Sequence, residues 1–64
     1  MTRKTSYVLQ DKWRDDEWLD FGIYTQEQSY VQFEMHTTDP VWIAGGQRKW
    51  RIVKRTITER VVHE

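Results

Sequence analysis

Thr25 to Pro40 reads TQEQSYVQFEMHTTDP, and the fold turns on whether this stretch is a helix or a strand. Val31, Phe33 and Met35 alternate as they would in a strand. Tyr30, Phe33 and Thr37 also fall on one helical stripe, with Val31 and Met35 beside it. Periodicity alone does not separate the two. Two local features favour the helix. Thr25-Gln26-Glu27-Gln28 has the form of a capping box, in which the threonine hydroxyl accepts from the backbone of Gln28 and the Gln28 side chain reaches back. Asp39-Pro40 then ends it, because the proline ring pushes Asp39 out of the α region. The strand reading would make the domain all-β.

Upstream, Ser6 to Trp13 reads as a strand, with Tyr7 and Leu9 on one face and Val8, Gln10 and Lys12 on the other. Asp11 interrupts the first face. Trp18 to Ile23 alternates again, with Leu19, Phe21 and Ile23 expected on one side. Between them Arg14-Asp15-Asp16-Glu17 is polar and turn-prone. The two runs make a β-hairpin, and without Asn-Gly or Asp-Gly its loop should run to about three to five residues.

Downstream, Val41-Trp42-Ile43-Ala44 is a short apolar run ended by Gly45-Gly46. Lys49 to Thr58 is rich in β-branched residues and reads as a strand, which the run at Val41 could join through a Gly45–Arg48 turn. Trp50 and Ile52 share one face of that strand, Val53 and Ile57 the other. A bulge near Val53, or burial on both sides of a central strand, reconciles the pattern. Val61 and Val62 should extend the strand, and His63-Glu64 should fray. The expected fold is α+β: one small domain over residues 1–64, with a β-hairpin, a helix and one or two closing strands forming a small antiparallel sheet with the helix on one face.

A 64-residue chain buries only about 60% of its unfolded surface, so its core must be dense. Four Trp, three Tyr and two Phe supply the material, at roughly 150–250 Å² each. Nine rings are more than so small an interior hides, so some should be exposed. There is no cysteine, which excludes disulfides and thiolate metal sites and suits a cytoplasmic setting. No apolar run approaches the ~20 residues of a membrane span. Met1-Thr2-Arg3-Lys4 carries charge with no apolar stretch behind it, unlike a secretory signal. The net charge of zero is uneven: residues 1–40 hold four basic and eight acidic side chains, and residues 41–64 hold six and two. The halves therefore either neutralise each other or present two faces to a charged partner.

The candidate chemistry is that of binding. Asp11, Asp15, Asp16, Glu17 and Asp20 form an acidic cluster whose spacing lacks the glycine and alternation of a calcium loop. It reads as a solvated turn or as a negative docking patch. Arg48, Lys49, Trp50, Arg51, Lys54 and Arg55 could track phosphates and stack a base. On a strand, however, Lys49, Arg51 and Arg55 share one face and Lys54 points the other way, so pairing with the acidic hairpin is the simpler reading. His36 and His63 lack zinc spacing. Ser6 and Ser29 lack a nucleophile-elbow context, and Gly45-Gly46 lacks the rest of a phosphate loop. No catalytic residue, metal or cofactor is implied. Tyr, Trp and Arg dominate binding hot spots. Trp42 and Ile43 are the first candidates for an exposed protein-binding anchor, followed by Trp13 and Trp18 flanking the acidic turn Asp15-Asp16-Glu17.

The opening YVLQDKWRDDEW (Tyr7–Trp18), the aromatic capped middle segment and the closing WRIVKRTITERVV (Trp50–Val62) resemble small uncharacterised accessory proteins carried by bacteriophages and prophages. RKWRIVKRTITE, from Arg48 to Glu59, is the most specific part, and the middle segment lacks the alanines usual in such a helix. The resemblance implies a hairpin, a helix and a closing strand, and a phage accessory role with no catalytic motif. The expected function is a non-enzymatic module that binds a host protein or complex, for example to inhibit a defence system of the CRISPR type. Nucleic-acid binding through residues 48–55 and self-association as a homodimer are the alternatives.

Overall fold

The computed structural model describes residues 5–56 and 59–64. Its elements run β1 (Ser6–Trp13), β2 (Leu19–Tyr24), α1 (Gln26–Thr38), α2 (Pro40–Ile43), a 3₁₀ turn (Ala44–Gly46), β3 (Arg48–Arg55) and β4 (Glu59–His63). The strands form one antiparallel sheet in the order β2-β1-β3-β4, with α1 packed on one face. The fold is α+β. Ile57 and Thr58, expected at the end of β3, and the N-terminal Met1–Lys4 lie outside the described residues.

The Thr25 segment is helical for the local reasons given above. Thr25 is extended and its Oγ1 accepts from Gln28 N at 3.3 Å. Asp39 ends α1 in an extended conformation before Pro40. The buried side of α1 differs from the expected stripe. Ser29 and His36 are buried and Phe33 is half-buried, whereas Tyr30, Val31 and Met35 are exposed. The inward stripe is i, i+4, i+7, and two of its three members are polar. They are tolerated because each finds a backbone acceptor: Ser29 Oγ donates to Gln26 O at 2.7 Å, and His36 Nδ1 lies 2.6 Å from Gln32 O.

Val41–Ala44 does not pair with β3. Asp39 Oδ1 accepts from Val41 N at 2.9 Å and Pro40 takes the first helical position, so the dipeptide that stops α1 also starts α2. The chain then reverses through positive φ at Ala44 (47°), Gly45 (67°) and Gly46 (91°), which explains the double glycine.

Two bulges decide which side chains face which way. Leu9 pairs with Gly22 and Gln10 with Asp20, leaving Phe21 as the extra residue of β2. Leu19 and Phe21 therefore stay on the helix side and Ile23 swings to the opposite face, beside Val8, correcting the expectation that all three share a side. Likewise Ile52 pairs with His63 and Val53 with Val61, so Val62 is extra and joins the core. Of the two explanations for β3, burial on both sides of a central strand holds; the bulge opposite Ile52/Val53 lies in β4, and β3 itself alternates without a break against β1.

The core on the helix side is Leu9, Trp50 and Ile52, flanked by Tyr7, Tyr24, Phe33, Trp42, Ile43 and Val62. No helix covers the other face, yet Val8 and Val53 are 0% and 2% exposed there. Ile23 and Val61 flank them, opposite Val8 and Val53 in register, and one long side chain spans the row. Arg55 starts opposite Ser6 but bonds Asp20, which lies opposite Gln10. Its aliphatic stem must therefore cross the Val8 row.

Candidate interaction site at the tryptophan end of the sheet

β1 and β3 pair in register from Ser6–Arg55 to Trp13–Arg48, which places Asp11, Trp13, Arg48 and Trp50 on the helix side at one end of the sheet. Arg48 Nε donates to Asp11 Oδ2 at 2.8 Å, and both side chains are largely buried. The guanidinium carbon lies 4.6 Å from the Trp50 ring, 5.2 Å from Trp42, 5.6 Å from Trp13 and 5.8 Å from Phe21. Four ring faces and a carboxylate surround this one cation, the arrangement in which cation–π attraction is strongest because water is excluded. His36 enters from α1, with its ring 4.6 to 4.9 Å from those of Trp50, Trp42 and Phe21. Its Nδ1 faces the Gln32 carbonyl, which can only accept, so Nδ1 carries the proton. Trp50 Nε1 donates to Trp42 O at 3.0 Å, tying α2 to β3.

On the opposite face Arg51 Nε donates to Gln10 Oε1 at 2.8 Å, and its guanidinium stacks 4.3 Å from the Trp18 ring. Lys12 Nζ lies 5.8 Å from the same ring. Gln10 Nε2 donates to Asp20 Oδ1 at 2.9 Å. Arg55 forks onto Asp20 at 3.0 and 3.2 Å and reaches Glu59 at 2.7 Å. The Arg55 hydrogen bond, then that of Gln10, holds the Asp20 carboxyl below its ordinary range. Asp20 first, then Glu59, raises Arg55.

The five-residue turn between β1 and β2 is held to Gln47, the residue before β3. Arg14 N donates to Gln47 O at 2.8 Å, and Arg14 Nη2 and Nε donate to Gln47 Oε1 at 3.0 and 3.2 Å. Asp15, Asp16 and Glu17 are exposed at its tip, with Trp13 exposed and Trp18 half-buried at its base. Trp42 and Ile43 are half-buried against the core, so they are not the free anchors expected of them. They are turned inward because α2 forms where a β-run was expected. Of the nine rings only Trp50 is fully buried.

A hollow of about 270 Å³ lies beside the start of β3. Phe33, Thr37, Ile43 and Trp50 line it from the helix side, and Trp18 and Lys49 from the other. The sequence-based candidates Trp18, Ile43, Arg48, Lys49 and Trp50 thus meet at one place. Lys54 and Arg55 lie at the far end of β3, and the acidic turn stands at the end of the hairpin. Reading residues alone overlooked Gln10, Phe21, Phe33, His36 and Thr37. Asp11 did leave a signal: a carboxylate in an apolar stripe requires a buried cation. Among the described residues no group of three or more His, Cys, Asp or Glu is placed to hold a metal ion. No described helix is long and apolar enough to cross a membrane.

No protein-family model matches the chain, and no curated protein or solved structure matches it.

Proposed function

We propose that this chain is a small protein-binding domain that acts by occupying a partner's surface and not by catalysis. The observation that carries the reading is the convergence of Trp18, Ile43, Lys49 and Trp50 on one shallow hollow at the tryptophan end of the sheet. Rigid aromatic area beside fixed charges is the composition of a binding hot spot. Trp50, Trp42 and Phe21 are locked by mutual edge contacts and by Arg48, so little ordering cost remains for association. The finer reading is a phage accessory protein that works in the host cytoplasm and modulates or inhibits a host component such as a defence system. It is supported by the resemblance carried by Arg48–Glu59 and by the absence of cysteine.

Capture from bacterial lysate tests the reading. The wild type should enrich a specific protein or complex, and Lys49→Glu and Trp18→Ala should lose it while keeping the wild-type circular dichroism. Repeated failure to enrich any protein, or capture unchanged in both variants, sinks the proposal.

One observation favours a nucleic-acid surface instead: Lys12, Lys49, Arg51 and the Trp18 ring share the uncovered face of the sheet. Against it, Arg48, Arg51 and Arg55 are held by Asp11, Gln10 and by Asp20 with Glu59. Anisotropy of labelled single-stranded DNA or RNA across a salt series should be flat, whereas a steep slope would establish this second reading.

A further inference from the structure

β2 is an outer strand of the sheet, and among the described residues nothing pairs with its free side. Unpaired strand backbone invites another strand, and proteins commonly discourage it with charged side chains along the edge. β4, the outer strand on the opposite side, follows that rule with Glu59 and Arg60 exposed. β2 does not. Its single charged residue is Asp20, which Arg55 holds. Leu19, Phe21 and Ile23, half of its six residues, are apolar and exposed.

The bulge at Phe21 selects the occupant. Leu19, Gly22 and Tyr24 lie opposite Asp11, Leu9 and Tyr7 on the helix side. Phe21 joins them there, with its ring against those of His36 and Trp50. Asp20 and Ile23, opposite Gln10 and Val8, lie on the uncovered face. From Leu19 to Tyr24 the faces therefore run helix, uncovered, helix, helix, uncovered, helix. A regular strand alternates without a break, so it matches one half of β2 and is out of phase with the other. The order of faces along β2 is, however, the same in both directions. A second β2 running antiparallel, about a two-fold axis between Phe21 and Gly22, carries the same bulge at the same place. Every pair then shares a face: Leu19 with Tyr24, Asp20 with Ile23, and Phe21 with Gly22. A shift of one residue sets Leu19 against Ile23, or Asp20 against Tyr24, across different faces.

We infer that two copies of this chain pair antiparallel through β2, joining two four-stranded sheets into one with both α1 helices on the same side. The interface is isologous, with one patch serving both partners. Asp20 faces an isoleucine, so no like charges meet across the axis. Gly22 has no side chain and Tyr24 lies over it, which brings Phe21 of one copy towards Tyr24 of the other, a favourable cross-strand aromatic pair. No β2 residue lines the hollow beside β3, so the inference does not depend on the protein-binding reading.

One strand edge is a small interface, below about 1,200 Å², and makes a weak, reversible dimer. The test is therefore sedimentation velocity of the full chain up to millimolar concentration, with ¹⁵N spectra across the same range. The chain should pass from monomer to dimer and stop there, because the two-fold pairing closes on itself. The amides of Leu19 to Tyr24 should shift with concentration, and those of Glu59 to Val61 should not. Ile23 is 65% exposed, so charged residues there are compatible with the fold, checked by circular dichroism. Ile23→Asp sets a carboxylate opposite the partner's Asp20, twice per dimer, whereas Ile23→Lys sets an ammonium there. The lysine variant should dimerise at least about tenfold more tightly than the aspartate variant. Val31→Lys, on the outer side of α1, should leave the dimer unchanged. A monomer at millimolar concentration, growth beyond the dimer, equal dimerisation of the two Ile23 variants, loss of the dimer in Val31→Lys, or shifts centred on β4 overturns the inference. So does a free chain that stays monomeric while its β2 amides shift on addition of a protein captured from lysate, which would give the edge to another partner. Lysate capture that survives any of these outcomes leaves the protein-binding reading standing.

Discussion

The two faces of the sheet each hold an arginine–aspartate pair, and they are built in opposite ways. On the helix side Arg48 and Asp11 lie among four aromatic rings, with side-chain exposures of 15% and 10%. On the uncovered side Arg55 and Asp20 meet in solvent, at 32% and 48%. The buried pair holds its charges where water cannot screen them, so neither member tolerates the loss of the other. The exposed pair gains little from Coulomb attraction. What Arg55 contributes instead is its stem, laid across Val8 and Val53 where no helix reaches. The same two residue types therefore act as a buried electrostatic clamp on one face and as an apolar lid on the other.

The sharpest way to break this contrast is Arg48→Ala. It strands Asp11 in an aromatic pocket and should cost about 3–5 kcal/mol, measured by urea denaturation. In a domain of this size that removes most of the folded population at ordinary temperature. Replacing both partners, Arg48→Met with Asp11→Leu, should restore most of the loss, because no unpaired charge remains. A double variant as unstable as the single one would show that the aromatic–guanidinium contacts, and not the stranded carboxylate, dominate.

Gly22→Ala is next. A Cβ there would come 2.7 Å from the Tyr24 hydroxyl oxygen and 2.8 Å from its ring, so the tyrosine must leave its place over the strand. Overpacking of this kind costs about 1–3 kcal/mol, read from the same denaturation midpoint. An unchanged midpoint would show that Tyr24 adds nothing to the helix-side core. On the uncovered face, Arg55→Met should be milder than Arg55→Ala, since methionine keeps much of the cover while losing the charge. If the two shift the thermal midpoint equally, the ion pair outweighs the lid.

The smallest effect is the pH dependence of the exposed pair. Asp20 titrates below its ordinary value of 3.8 in the folded chain. Its contribution is therefore complete above that value and is lost as pH falls through the lower folded value. Asp20→Asn should lower stability slightly at neutral pH, flatten this acid limb of the stability curve and converge with the wild type in acid. A difference that persists undiminished in acid would contradict the assignment.

Much of this architecture is readable along the chain. The hairpin, the capped helix ended at Asp39-Pro40 and the strand at β3 all follow from short-range chemistry. The two-sided burial of β3 is also foreshadowed by apolar residues on both of its faces, Trp50 and Ile52 on one and Val53 on the other. Val61 and Val62, however, expected to extend β3, fall in the separate antiparallel strand β4. His63, expected to fray, pairs with Ile52 and packs on Phe33. The errors share a cause. Ile23 changed faces because Phe21 bulged, and a bulge depends on the partner strand. Tyr30 belongs to the apolar stripe of the sequence, with Val31 and Met35 beside it, yet all three are exposed, and α1 buries Ser29 and His36 against the sheet and the aromatic cluster instead. The run at Trp42 was given to a strand because Pro40 was read only as a stop, although Asp39 and Pro40 also begin a helix.

The site divides similarly. Trp18, Arg48, Lys49 and Trp50 are visible as a concentration of rings and cations. Their division between the two faces follows from strand alternation. That Arg48 is enclosed while Lys49 is exposed could not be read from either residue, because it depends on Asp11, thirty-seven positions from Arg48.

The amino-acid order thus determined the first hairpin, the capped helix and the strand at β3, and that the rings exceed what the interior conceals, since caps, turns and volume are local or compositional quantities. Register and face were decided only by the assembled sheet. Each depends on where a strand's neighbour begins or slips by one residue, and that information belongs to the pair.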